Sequence, residues 1–231
     1  MGQSRSQVLY EPVAAENNLG PDRPGGNHDT VEHLGTVKHL DTAALQAGLG
    51  HIRESPPDHG TVEMIVRRPA VDEREVLALG TLDAEIGLTG DTWQERGSSR
   101  TPDGSAHPGM QLTVINSRAA LLVAHDPGRR MLAGDQLYVD LDLSPANLPA
   151  GTRLAVGSAV IEVSEEPHLG CAKFAARFGV EALRFVNSRT GRGLRLRGLN
   201  ARILTSGTVR PGDRISKLAP ASEAETDGAA A

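Results

Sequence analysis

From residue 60 onward the apolar runs of this chain are short and bounded by glycines. The clearest alternation is Leu137 to Leu143, with Leu137, Val139, Leu141 and Leu143 on one face and Tyr138, Asp140 and Asp142 on the other. That period of two predicts a strand with one core face and one wet face. Val62, Met64 and Val66 alternate with Glu63, Ile65 and Arg67, and Val76–Leu79 gives a second extended run before Gly80. Short strand candidates follow at Gln111–Ile115, Arg153–Val156, Ala159–Val163, Arg202–Thr205 and Arg214–Lys217, separated by turns at Gly151, Gly157, Gly207 and Gly212. Helical patterns are few: about Ala119–Val123, Cys171–Arg177 and Glu181–Asn187. Many short strands with few long helices favour a barrel or sandwich over a doubly wound sheet, so the chain reads as mainly β with a few helices.

The flanks differ in character. Residues 1–30 are rich in Asn, Gly, Pro and charge, a composition that cannot offset the entropy of ordering, and are expected to be a disordered leader. Residues 31–60 form a helical lead-in: Leu34, Val37, Leu40, Ala44, Leu45 and Leu49 recur at helical steps, and Asp41 is placed to cap a second helical piece. One folded domain is expected over 61–218, and the Ala, Glu and Asp of 219–231 read as a solvated tail.

Charge and cysteine usage narrow the function. The net charge of −5 and the scarcity of aromatics (one Trp, two Tyr, three Phe) argue against a nucleic-acid partner, which needs a basic surface and stacking platforms. The exception is the local basic stretch Arg189, Arg192, Arg195 and Arg197, which reads equally as a solvated loop or an anion site. No stretch approaches the roughly 20 apolar residues of a membrane span. With one cysteine and no signal-like apolar run in Met1–Gly20, the chain is expected to be cytoplasmic.

That cysteine is the centre of the functional reading. Pro167-His168-Leu169-Gly170 places a breaker before Cys171, good helix formers follow, and Gly179 is a stop. Cys171 is therefore expected in a first helical turn, where unpaired backbone N–H groups favour thiolate and His168 three residues earlier assists. The competing reading is packing: steps of three and seven residues put Phe174 and Phe178 on nearly the same helical face, and a thiol buried there is inert.

Gly87-Leu88-Thr89-Gly90-Asp91, Gln111-Leu112-Thr113-Val114-Ile115-Asn116, Asn147-Leu148-Pro149, the Cys171 segment, and Arg197-Gly198-Leu199-Asn200 leading to Gly207-Thr208-Val209 and Gly212-Asp213-Arg214-Ile215 occur in an order that resembles the MOSC domain. The resemblance spans about Thr61 to Leu218. It implies a β-barrel with appended helices. It also implies that Cys171 corresponds to the family cysteine, proposed to carry sulfur or to ligate molybdenum in a bound molybdenum cofactor (molybdopterin). The sequence departs from one common family pattern, in which Arg and Pro shortly precede the cysteine, since His168-Leu169-Gly170 stand there instead.

Soft thiolate suits molybdenum and sulfide chemistry, whereas a pterin phosphate needs backbone N–H groups or Arg. Arg197, Arg177 and Lys173 are candidates, and helical angle turns the last two away from Cys171, which favours Arg197. Asn147 is placed to hydrogen-bond a pterin or substrate, or else to serve its own Pro-rich turn. Gly90 and Asp91 line a phosphate loop or form a plain turn; an Asp at such a loop would repel an anion unless it braced an Arg.

Three functions follow as expectations. The first is a cofactor-binding protein that reduces N-hydroxylated or N-oxide small molecules with an external reductase as electron donor. The second is a persulfide sulfur carrier served by a cysteine desulfurase. The third is a non-catalytic barrel whose basic stretch holds a phosphate-bearing ligand.

Overall fold

The computed structural model describes residues 38–219. The 1–30 leader, residues 31–37 of the lead-in and the tail beyond 219 lie outside the described residues. The strands are β1 (Gly60–Arg67), β2 (Glu75–Leu77), β3 (Gly80–Asp83), β4 (Gly87–Leu88), β5 (Leu112–Asn116), β6 (Leu137–Asp140), β7 (Arg153–Val156), β8 (Ala159–Val163), β9 (Leu199–Thr205), β10 (Gly207–Val209) and β11 (Arg214–Lys217). The α-helices are α1 (Thr42–Ala47), α2 (Leu49–Arg53), α3 (Trp93–Arg96), α4 (Ser117–Ala124), α5 (Ala172–Asn187) and α6 (Arg189–Gly193).

Seven strands close into a barrel in the order β11-β7-β8-β9-β5-β6-β1, with β1 returning to pair with β11. Closure pairs Gly60 with Ile215 and Thr61 with Arg214. β2 extends the sheet from β1, and β10, β3 and β4 form a small second sheet. β5 and β6 are parallel, a pairing that requires a crossover. α4 and the 3-10 turn Pro127–Ala133 supply it, starting at the Asn116 cap, whose side chain accepts from the Ala119 N–H at 2.9 Å.

Two apolar clusters result. Val62, Ile65, Leu137, Val139, Ile161, Ala201 and Ile215 belong to the barrel cluster. Met64, Val66, Ile115 and Tyr138 belong to a second cluster shared with the helices, through Leu45, Ala120, Phe174, Phe178 and Val186. The wet face expected for Leu137–Leu143 is thus covered at Tyr138, which is fully buried and donates to the Arg130 carbonyl at 3.0 Å. Only the acids keep partial contact with water, and Arg118 holds Asp140 through two hydrogen bonds of 2.8 Å. The regular alternation expected along Val62–Arg67 is also broken. A register shift between Val62 and Met64 moves Ile65 into the barrel cluster and Met64 and Val66 into the helical one.

Asp41 caps α1 as expected, accepting from the Ala44 N–H at 2.8 Å. The two helical pieces expected after Pro167 form one element broken at Gly179, whose φ of 88° and ψ of 161° are accessible essentially to glycine alone. Among the described residues no helix is long and apolar enough to cross a membrane.

Candidate functional site

The chain leaves β8 into the loop Ser164–Gly170, which is tied down at both ends. The Ser164 N–H donates to the Asn200 carbonyl at 2.9 Å, and the Asn200 amide donates to the Glu166 carbonyl at 3.1 Å. At the far end Asn187 clamps Gly170, accepting from its N–H at 2.9 Å and donating to its carbonyl at 3.0 Å. A Cβ on Gly170 would lie 2.8 Å from Leu183 and 3.0 Å from Val186, so this docking onto α5 needs glycine.

Cys171 follows as the N-cap of α5, with φ −125° and ψ −180°, and it is exposed. Being outside the helix, it does not share the face of Phe174 and Phe178, which are buried against each other with ring centroids 4.9 Å apart. The reading of Cys171 as inert core therefore fails on cap geometry. Among the described residues no three His, Cys, Asp or Glu side chains gather as a metal-ligand set, so Cys171 would be a lone protein donor.

Beneath the loop lies a group that local sequence pattern does not reveal. Arg197 donates to Asp135 at 2.6 Å and to the Ala133 carbonyl at 3.0 Å, with its guanidinium 5.1 Å from the Phe174 ring centroid. His168 Nδ1 sits 3.5 Å from Asp135 Oδ1. His168 Nδ1, Asp135 Oδ1, Arg197 Nε and Asn200 Oδ1 are all buried without a hydrogen-bond partner among the described residues. Such orphans are rare in folded proteins and mark a ligand or water site. Burial, reinforced by the positive charges of Arg197 and Arg68, holds His168 well below the usual imidazole range, so it is neutral near pH 7. Burial pushes the Asp135 carboxyl up, against the opposing pull of Arg197.

A cavity of ≈340 Å³ adjoins this group, walled by the whole run Ser164–Leu169 and, opposite, by Arg192, Arg195, Arg197 and Gly198. Its size is at the lower end of the roughly 300–1,000 Å³ of small-molecule sites. Arg195 is its least expected member. It has a positive φ of 47°, donates only to the Leu143 and Leu148 carbonyls at 3.3 and 2.6 Å, and forms no ion pair among the described residues. Burial lowers its pKa. Its place in a basic stretch is the only signal that sequence offers for it.

The structure therefore brings His168 and Arg197 to one cavity. Cys171 is not part of the cavity wall, but stands two residues beyond Leu169, within about 7 Å of backbone reach. Arg197 places Nη1 on Asp135 and Nη2 on the Ala133 carbonyl, and its buried Nε has no partner among the described residues. Asn147 is elsewhere and fully used, donating to the Pro57 and Asp142 carbonyls and accepting from Lys217. Asp91 does not face the cavity. Its buried carboxylate braces Arg68 through bonds of 2.8 and 2.7 Å and accepts from the Trp93 N–H. Gly90 lies under the Arg67 side chain.

Residues 105–216 match the MOSC domain. Among solved structures, one titled as a hypothetical protein is 22% identical, covering 75% of this chain and 73% of its own with a TM-score of 0.50. The YuaD protein of Bacillus subtilis is 18% identical, covering 68% of this chain and 93% of its own (TM-score 0.47), and YiiM of Escherichia coli is 21% identical, covering 71% and 72% (TM-score 0.46). A search of curated proteins found no match.

Proposed function

This chain carries a MOSC domain, and from that premise we propose that it binds a molybdenum–pterin cofactor with Cys171 as its thiolate ligand. The observation that carries the reading is an exposed thiol two residues beyond a cavity wall whose buried polar atoms lack partners. The donor set fits such a group: one soft sulfur donor for molybdenum, and Arg195 with Arg192, which form no ion pair among the described residues, for the polar end of the ligand. Bound, the cofactor would supply two-electron redox chemistry, and we assign the reaction class as reduction of N-hydroxylated or N-oxide small molecules by an external electron donor.

The protein's own part is binding and proton placement. A neutral imidazole has one donor and one acceptor nitrogen, and the carboxyl beside Nδ1 favours the proton there, leaving Nε2 of His168 as acceptor. Asp135 holds Arg197 by a hydrogen bond and stands 3.5 Å from His168 Nδ1, beside the cavity wall. The test is molybdenum content per chain by elemental mass spectrometry, on protein made in a cofactor-producing host without oxygen, beside Cys171→Ser. Near-stoichiometric metal lost in the variant supports the reading; metal-free wild type sinks it.

A second reading, a persulfide carrier, is favoured by the exposure of Cys171 outside the cavity wall, where a partner desulfurase would reach it. Incubation with a cysteine desulfurase and cysteine would then add the mass of one sulfur atom at Cys171, reversed by thiol reductant.

A further inference from the structure

The cavity wall Ser164–Leu169 is thinly held between its anchors, Ser164 on Asn200 at one end and Gly170 on Asn187 at the other. Between them Glu166 alone makes hydrogen bonds among the described residues. Its N–H donates to Ser164 Oγ at 3.1 Å, its carbonyl accepts from Asn200 at 3.1 Å, and its carboxylate accepts from Arg100. Leu169, an apolar side chain on the same wall, is 42% exposed. The Glu166 side chain is therefore what secures the middle of the wall from outside.

Both groups that face that carboxylate come from one segment, between α3 and the Pro108–Met110 turn. Arg100 pairs with Glu166 Oε2, and His107 Nε2 stands 3.7 Å from Oε1. His107 Nδ1 accepts from the Gly109 N–H at 3.1 Å, so Nε2 carries the ring hydrogen and faces the carboxylate with it. The segment closes on itself before it reaches the wall. The Ser98 N–H donates to the Gly104 carbonyl at 3.3 Å, and the Thr101 hydroxyl donates to the Ser98 carbonyl at 2.8 Å. Gly97 has a φ of 59°, and a Cβ there would lie 2.2 Å from the Gly104 oxygen, so the neck of this loop needs glycine. A loop closed this way is built from its own contacts. Its ionic hold on the wall is partly open to water, with the Arg100 and Glu166 side chains 43% and 22% exposed. Ion pairs so placed contribute little to stability and are screened by salt, which suits a contact that has to release.

We propose that residues 97–107 are a latch on the cavity, with Arg100 as its hook and Glu166 as its catch: release of this pair frees the Ser164–Leu169 wall and admits ligands to the space beside His168. The latch needs only the cavity, and it stands apart from the cofactor reading.

The test is the rate at which diethyl pyrocarbonate modifies His168 in the full chain, read by peptide mass spectrometry with the exposed His125 as internal reference. The His168 ring is neutral near pH 7, the form this reagent attacks, and only 14% of the side chain reaches solvent. Arg100→Gln and Glu166→Gln should each speed the modification severalfold, and the double variant no further than either, since both remove the same link. Arg100→Lys, which keeps the charge, should stay near wild type. Raising salt from about 0.1 M to about 1 M shortens the Debye length from about 10 Å to about 3 Å, and should speed wild type while leaving Arg100→Gln unchanged. Amide exchange should rise in the wall and stay as in wild type in the barrel strands. His168 modified at the wild-type rate in both single variants would overturn the proposal. So would a faster rate accompanied by faster exchange throughout the barrel, because the pair would then hold the fold and not the wall.

Discussion

Arg197 donates to Asp135 at 2.6 Å where the carboxylate has no exposure to water. A buried pair of this kind is costly to break from one side, because the survivor is left charged and unpaired. Asp135→Ala should destabilise the protein by about 3–5 kcal/mol in urea unfolding. The double variant Asp135→Leu with Arg197→Met should recover most of that loss while abolishing ligand binding in the cavity.

The clamp between Asn187 and Gly170 makes a separate prediction. Asn187→Ala leaves both backbone groups of Gly170 without their partner, at about 1–3 kcal/mol. The Ser164–Gly170 loop should then exchange its amide hydrogens faster than wild type while the barrel strands stay protected.

Stability should fall in acid through His168. Its folded pKa lies below the unfolded value of about 6.5, so between the two the unfolded chain binds a proton that the fold refuses. Stability therefore drops as pH falls below about 6.5, by up to about 1.4 kcal/mol per pH unit. Asp135 has the opposite sign: its raised carboxyl contributes stability below the unfolded value of about 3.9, lost as pH rises through the folded one. Denaturation curves for His168→Gln between pH 7 and 5 should be flatter than for wild type.

Cys171 should be alkylated by iodoacetamide in the folded protein, since its thiol is exposed. Cys171→Ser should change unfolding stability by no more than about 0.5 kcal/mol, the range for exposed positions. A slow-reacting thiol, or a large loss of stability, would contradict the N-cap geometry.

Strands β7, β8 and β11 were legible to the residue, because alternation or short apolar runs there follow glycine turns at Gly151, Gly157 and Gly212, and β7 is also closed by one. Other features depend on partners distant in sequence. The outer face of β6 reads as wet until α4 and α5 cover Tyr138, and the register shift in β1 is set by its pairing with β6, not by β1 itself. Cys171 was legible as a candidate, but its exposure turns on one extended residue at the helix start, which spacing arithmetic cannot distinguish from a first turn. Asp135 was not legible at all: Arg197, 62 positions away, gives it meaning. Arg197 itself was anticipated for a phosphate and is found holding a carboxylate.

The pairing of Gly60 with Ile215 joins the first barrel strand to the last one described. During synthesis the ribosome therefore releases six strands of an unclosed sheet before β11 emerges to seal it. Until then β1 and β7 each present an unpaired edge, and nascent chains are open to edge-to-edge association. Closure of the barrel consequently waits for the emergence of β11, and a chain stopped short of Arg214 would keep both edges open.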